Sequence, residues 1–307
     1  MKKRHHNNNE NPISTLYKML EYKRPAGSKT MHEFINRWIK PLGAKPDKAN
    51  NWIVRVGKNS RVLWSSHTDS VHSSGGMQKI VINGDKIKLA KHETSNCLGA
   101  DCATGVWIMR DMILAGIAGL YIFHDSEEIG GLGSSYIANK TPHILDGIDY
   151  AIAFDRRGSN SIITHQAASR CASDIFAGSI AKLLPKQYCA DSGGVFTDTA
   201  NYAHIIPECT NLGVGYLDQH TASETQSISS ALALRDAMLR FDESKLTVSR
   251  DPYAYDPEPY DYWHTPKRDY WNEWSDLERF VKDYPHIVTD YLDSCGATVE
   301  QIRRWYN

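Results

Sequence analysis

Histidines and carboxylates recur in this chain just after short apolar runs, a placement suited to holding cations and moving protons. The richest stretch is Phe123–Ser134 (FHDSEEIGGLGS), where Glu127 and Glu128 follow an apolar run and precede Gly130, Gly131 and Gly133. Two adjacent carboxylates repel each other and place polar groups at a rim, which is wasteful unless cations or protons are handled there. One can ligate a metal while the other, its pKa raised, takes a proton from water. The competing reading is a solvated acidic loop; the apolar run and the clustered glycines count against it.

Four weaker pieces accompany it. His67 in SSHTDSV leaves an apolar run, and Asp69 two residues on is placed to orient the imidazole and raise its basicity; alone, an exposed loop histidine is the better reading. Asp101 in LGADCATGV sits among small residues, where it can lie between two cations or serve as a plain helix cap. Asp155 in AFDRRG and His220 in GVGYLDQHTASE each follow an apolar run, with Glu224 four residues beyond His220. The ensemble decides. Two imidazoles and three carboxylates without a thiolate suit zinc, cobalt or manganese. One bridging carboxylate plus two further ligands per ion leaves each metal open to water or substrate, which is a catalytic arrangement.

These residues need a frame. Strand-like runs are Trp52–Val56, Val62–Ser65, Leu120–Phe123, Tyr150–Phe154 and Leu212–Leu217. Helical spacing marks Ile13–Tyr22, Met31–Ile39, Thr104–Ala115, Ser134–Asn139, Cys171–Leu184 and Ile228–Phe241. Lys79–Leu89, with Asn83-Gly84 at its centre, reads as a β-hairpin. The alternation predicts an α/β three-layer sandwich with a mostly parallel central sheet, its site at the carboxyl edge. We expect a flexible N-terminal segment over 1–30, a catalytic domain over 31–245, a Pro- and aromatic-rich extended segment over 246–274, and a small helical appendage over 275–307. The spacing in LDSCGATVEQIRRWY is like a helix–turn–helix, but a packing helix pair is the simpler reading.

Composition narrows the classes. The 307 residues are 41% hydrophobic, and 35 Lys plus Arg against 36 Asp plus Glu leave a formal charge of −1. No basic field exists to collect nucleic acid or anionic lipid, so neither is an expected partner. No apolar run approaches the ~18 residues of a membrane span. The basic N-terminus leads into no apolar stretch of a secretory signal. Six scattered cysteines without a CxxC pair argue for free thiols in a reducing, cytoplasmic compartment.

HTD, LGAD, SEEIGG, FD and a late His follow the motif order of the co-catalytic zinc exopeptidase superfamily, which residues 50–240 resemble. Its members include peptidase T-like tripeptidases, leucyl aminopeptidases and glutamyl-aminopeptidase-like enzymes. The resemblance implies two divalent ions, Zn2+ first, with Co2+ or Mn2+ as alternatives. It implies that Asp101 bridges them, that His67 and Asp155 complete one site, and that Glu128 and His220 complete the other. Asp69 would orient His67, and Glu127 would act as general base and then acid. Asp198, in FTDTANYA, would lie near the substrate amine or support the site. There are two departures. Cys102 stands where a second acid is common, and the stretch from Asp155 to His220 is too short for an inserted lid domain.

The expected activity is that of an aminopeptidase acting on peptide or small amide substrates, since acidic groups near the metals can hold a free amine. A two-metal carboxypeptidase or N-acyl amino acid deacylase is the second reading, with Arg156, Arg157 or Arg170 receiving a carboxylate. A non-catalytic peptide-binding protein on the same fold is the third. Nothing in the sequence sets the oligomeric state.

Overall fold

The computed structural model describes residues 11–254 apart from Ala168, together with Val281, Pro285, Val288, Thr289 and Leu292. Eight strands form the central sheet: β1 (Lys45–Pro46), β2 (Trp52–Val56), β3 (Val62–His67), β4 (Gly119–His124), β5 (Tyr150–Arg156), β6 (Ser161–Ile163), β7 (Cys189–Asp191) and β8 (Glu208–Gly213). Their order is β7-β6-β8-β5-β3-β4-β2-β1. The middle four, β8, β5, β3 and β4, are parallel. β7 is parallel to β6, while β6, β2 and β1 join their inner neighbours antiparallel. The sheet is therefore mostly parallel, as its alternating sequence pattern predicts.

Alternate residues of the buried strands feed two separate cores, as the period of two requires. Val62 and Trp64 of β3, Tyr121 and Phe123 of β4, and Ile152 and Phe154 of β5 face one layer. There they meet helices α1 (Pro12–Leu20), α2 (Lys29–Trp38), α3 (Ala100–Ala115), α5 (Asp174–Ala181) and α6 (Ile228–Met238). Leu63, Leu120, Ile122 and Ala151 face the other side, against α4 (Leu132–Lys140) and the short 3₁₀ turn Asp198–Tyr202. This is the three-layer sandwich. Serine caps start three helices: Ser28, Ser173 and Ser227 accept the N–H groups of Met31, Phe176 and Ser230.

A four-stranded second sheet holds the late histidine. Hairpin strands Ile80–Asn83 and Lys86–Leu89 pair as expected, turning on Gly84-Asp85. The second of them pairs with Thr225–Ser227, which pairs in turn with Tyr216–Leu217. His220 and Glu224 lie between those last two strands and are fixed at both ends.

Three expectations need correction. Residues 12–30 are not a loose segment: Leu16, Met19, Leu20 and Arg24 are fully buried, and α1 packs into the main core. The fifth strand is Glu208–Gly213, with a separate short strand at Tyr216–Leu217, where a single run Leu212–Leu217 is expected. The reason is polar satisfaction. Thr210 and Asn211 are buried but bonded to Ile163 O and to the Asp155 backbone, so the strand needs no apolar signature there. Cys171–Leu184 shortens to Asp174–Ala181.

The stretch from Asp155 to His220 is spent on β6, α5, β7, the Asp198–Tyr202 turn and β8, so no lid domain is inserted. Of the expected extended segment, residues 246–254 are described, and Ser249 and Arg250 donate their N–H groups to Glu208 Oε1 at 2.7 and 2.9 Å. The remainder of that segment and nearly all of the helical appendage lie outside the described residues. Four described cysteines are buried, Cys189 is exposed, and all five are free thiols.

Candidate active site

The carboxyl ends of the parallel strands deliver the chemistry. β3 ends on His67, and β4 ends on His124 and opens into the loop carrying Glu127 and Glu128. Asp155 is the penultimate residue of β5. Asp101 arrives from the other side, on the turn before α3 becomes regular; its φ and ψ of −74° and 105° are not helical. Gly99, in the left-handed region at φ 73°, makes that turn.

These groups converge. His67 Nε2 lies 3.0 Å from Asp101 Oδ1 and 3.2 Å from Asp155 Oδ1. His220 Nε2 lies 3.2 Å from Asp101 Oδ2 and 3.2 Å from Glu128 Oε2. The two oxygens of Asp101 thus face two different histidines, each histidine backed by a second carboxylate. Glu127 Oε2 stands 3.9 Å from His67 Nε2. Asp69 Oδ1 lies 3.3 Å from His67 Nδ1, and the Asp69 carboxylate accepts the backbone N–H groups of Glu127 and Glu128, both at 3.1 Å. One buried acid therefore orients the imidazole and the acidic loop together.

Other side chains brace the ligand positions. Thr197 donates its hydroxyl to Asp155 Oδ2 at 2.7 Å. Asn211 accepts the Asp155 N–H and donates to the Asp155 carbonyl, which Tyr216 also approaches. Glu224 accepts N–H groups from Leu98, Gly99 and Asp101. Arg24 donates to the carbonyls of Thr68, Gly99 and Asp101. None of these braces carries a local sequence signal, because each reaches a partner far along the chain, and all but Thr197 reach backbone groups.

The electrostatics describe an acid cluster short of positive charge. Burial, reinforced by Asp101, raises the Asp155 carboxyl to about 7. Burial also pushes Glu127 well above the carboxylate range, with Asp155, Glu128 and Asp198 adding to it against the opposing His67. Glu128 is raised by burial and by Asp101. Burial alone would lower the His220 imidazole, yet Asp101 and Glu128 lift it to about 12. Glu128 Oε1 is buried without a partner.

Among the described residues, three donor groups have ligand atoms within 4.8 Å of one another: Asp101, Glu128 and His220; His67, Glu127 and Glu128; and His67, Cys102 and Asp155. The crowded carboxylates, the orphaned oxygen and the imidazoles fit divalent cations well. Cys102 joins the last group, although its thiol donates to Phe154 O at 3.1 Å.

An open cleft of about 860 Å³ adjoins these groups. Arg156, Arg157, Gln166, Val195, Phe196 and Tyr216 form its other walls. Arg156 is tethered to Gly193 O at 2.7 Å and lies 3.8 Å from Asp191. Arg170 sits off the cleft, 3.5 Å from Asp174. Asp198 is not in the cleft wall either. It is buried, and burial raises its carboxyl to about 8.

No protein-family model matches the chain, and a search of curated proteins gave no match. Solved structures do match. A tripeptidase from Staphylococcus aureus subsp. aureus Mu50 superposes with a TM-score of 0.58 at 15% identity, covering 74% of this chain and 96% of its own. The aminopeptidase PepT from Bacillus cereus ATCC 10987 gives 0.56 at 14% identity, covering 74% and 96%. The TET1 peptidase of Pyrococcus horikoshii, which can assemble into a tetrahedron or a large octahedral shell, gives 0.56 at 16% identity, covering 76% and 100%. At such identities the likeness is one of architecture, and in architecture this chain has the fold of the TET and PepT peptidases.

Proposed function

We propose that the protein is a two-metal exopeptidase, with aminopeptidase action as its first activity. One observation carries the reading: Asp101 splits its two oxygens between His67 and His220, each of which has its own further carboxylate. Asp101 would bridge two ions. His67 and Asp155 would complete one site and Glu128 and His220 the other, with Zn2+ the first choice for this nitrogen and oxygen set and Co2+ or Mn2+ also suited. The ions supply Lewis acidity and lower the pKa of bound water.

The chain's own groups do the rest. Glu127 holds a largely shielded carboxylate 3.9 Å from His67 Nε2, near the same centre but beyond hydrogen-bond distance of the imidazole, the position of a general base. It accepts a proton from the attacking water and returns it to the departing amine. Asp69 holds the His67 ring and the Glu127 and Glu128 amides in register. Acidic groups lining the cleft favour a substrate's free α-ammonium. Asp198, buried and within electrostatic reach of His67 and Asp155, would support the site.

A second reading, carboxypeptidase or amino acid deacylase, draws on Arg157. Its exposed side chain lines the cleft, whereas Arg156 is tied to Gly193 and Asp191. Aminoacyl-anilides and N-acylated amino acids separate the two readings. Cleavage of the first with about two equivalents of zinc bound supports the aminopeptidase. Cleavage of the second alone replaces it, and a well-folded chain binding no divalent ion removes both readings and leaves the non-catalytic peptide-binding protein.

A further inference from the structure

Arg24 is fully buried and has no carboxylate within ion-pair distance among the described residues. A guanidinium so placed is costly unless its charge does something for its surroundings. Its Nη1 donates to Thr68 O at 3.1 Å, and its Nη2 donates to Gly99 O at 2.7 Å and to Asp101 O at 3.4 Å. Phe34 closes the far side, its ring centroid 4.7 Å from the guanidinium carbon.

The same turn is held from the opposite polarity. Glu224, 1% exposed, accepts the N–H groups of Leu98 and Gly99 at 2.8 Å on one oxygen and that of Asp101 at 3.2 Å on the other. A carboxylate thus gathers the amides of the Leu98–Asp101 turn while a guanidinium gathers its carbonyls.

The linkage spans three elements. Thr68 follows His67 at the end of β3, Asp101 ends the turn, and Glu224 lies four residues beyond His220 in the loop between Tyr216–Leu217 and Thr225–Ser227. We infer that Arg24 and Glu224 are positioning residues that clamp the Asp101 turn and so set the spacing between the two candidate metal positions. The inference rests on the two-metal reading above. Asp101 can bridge only if its backbone is held where both histidines reach it, and no ligand side chain supplies that hold. Lysine does not replace Arg24, because one ammonium cannot reach three carbonyls in the geometry of a planar fork.

The test uses the full chain, prepared metal-free and titrated with zinc. Arg24→Lys, Arg24→Ala and Glu224→Gln are expected to weaken zinc binding by about 10- to 100-fold, the usual cost of losing a group that orients a ligand. In Arg24→Ala, millimolar guanidinium ion should restore affinity where sodium does not. With manganese, the wild-type protein should show an exchange-coupled pair by paramagnetic resonance, and the variants isolated ions. In the metal-free wild-type chain, the amides of Leu98, Gly99 and Asp101 should already resist hydrogen exchange. Folded variants with unchanged affinity and a coupled manganese pair overturn the clamp. So does rapid exchange of those three amides before metal is added, a measurement that needs no variant to fold. A wild-type chain that binds no divalent ion at all overturns the two-metal reading instead.

Discussion

Glu127 and Glu128 are neighbours in sequence, yet they meet different partners: Glu128 Oε2 faces His220, while Glu127 Oε2 stands off from His67 at 3.9 Å. On the two-metal reading, that difference would separate a ligand from a base. Glu127→Gln keeps size and polarity but cannot take a proton, so turnover should fall by about 10²- to 10⁴-fold with zinc content unchanged. Undiminished turnover in that variant contradicts the role. The acid cluster also predicts how the metal-free chain answers pH. Asp155 and Glu224 are raised to about 7 and Asp198 to about 8, chiefly by burial. A carboxyl whose folded pKa exceeds its unfolded value of roughly 4 stabilises fully below that value and loses the contribution as pH climbs through the folded one. His220, raised to about 12, acts in the same direction. His72 and His124, held down to about 4 and about 3 chiefly by burial, penalise folding only below roughly pH 6.5. Metal-free protein should therefore melt at progressively lower temperature from about pH 6.5 to about pH 9, measured by calorimetry. A rise over that window contradicts the electrostatic picture. At this scale the sequence is most readable. The residues that the structure gathers at one rim are histidines and carboxylates that follow short apolar runs or stand on glycine-bordered turns. Arg24 escapes notice, and Glu224 is marked only by its place after His220, because their work is done on peptide groups, which look alike at every position.

At the scale of the element, α3 shows how close approach is written into one residue. A Cβ on Gly105 would lie 2.3 Å from both Phe154 O and Ser66 Oγ and 2.8 Å from Cys102 Sγ. Gly105→Ala should therefore lift the helix off β3 and β5, cost about 1–3 kcal/mol, and lower the melting temperature by several degrees. Because the same helix carries Asp101, zinc affinity should drop with it, which a neutral surface substitution would not cause. Leu16→Ala, in α1, tests the correction at the N-terminus. Its side chain is fully buried, so the change should cost about 2–5 kcal/mol, whereas a loose segment would leave stability untouched. The helices were legible because their apolar spacing is plain, and their ends shift by only a few residues where serine caps take over. The short strands β6 and β7 and the first half of β8 were not. Three-residue strands carry too little pattern, and buried threonine and asparagine satisfied by neighbouring backbone erase the apolar signature.

For the molecule as a whole, the parallel core is what lets residues from distant stretches share one rim. No described helix is long and apolar enough to cross a membrane. If the acidic rim holds two ions, they bind the native fold far better than the unfolded chain, so they stabilise it by mass action. A chelator should lower the melting temperature by several degrees and abolish hydrolysis, and zinc should restore both. Chelation that leaves the melting curve in place shows that the cluster holds no ion.

The carboxylate that secures the Leu98–Asp101 turn leaves the ribosome 126 positions after Leu98 itself. During synthesis, His67, Asp101 and the acidic loop thus emerge long before the turn can be fastened. A nascent or C-terminally clipped polypeptide that stops short of residue 220 would retain His67 and the acids Asp69, Asp101, Glu127, Glu128 and Asp155, but would lack both His220 and the Glu224 hold on the Asp101 turn. If the cluster holds two ions, their capture would then be a closing event of biogenesis, and unfinished chains would be spared a hydrolytic centre.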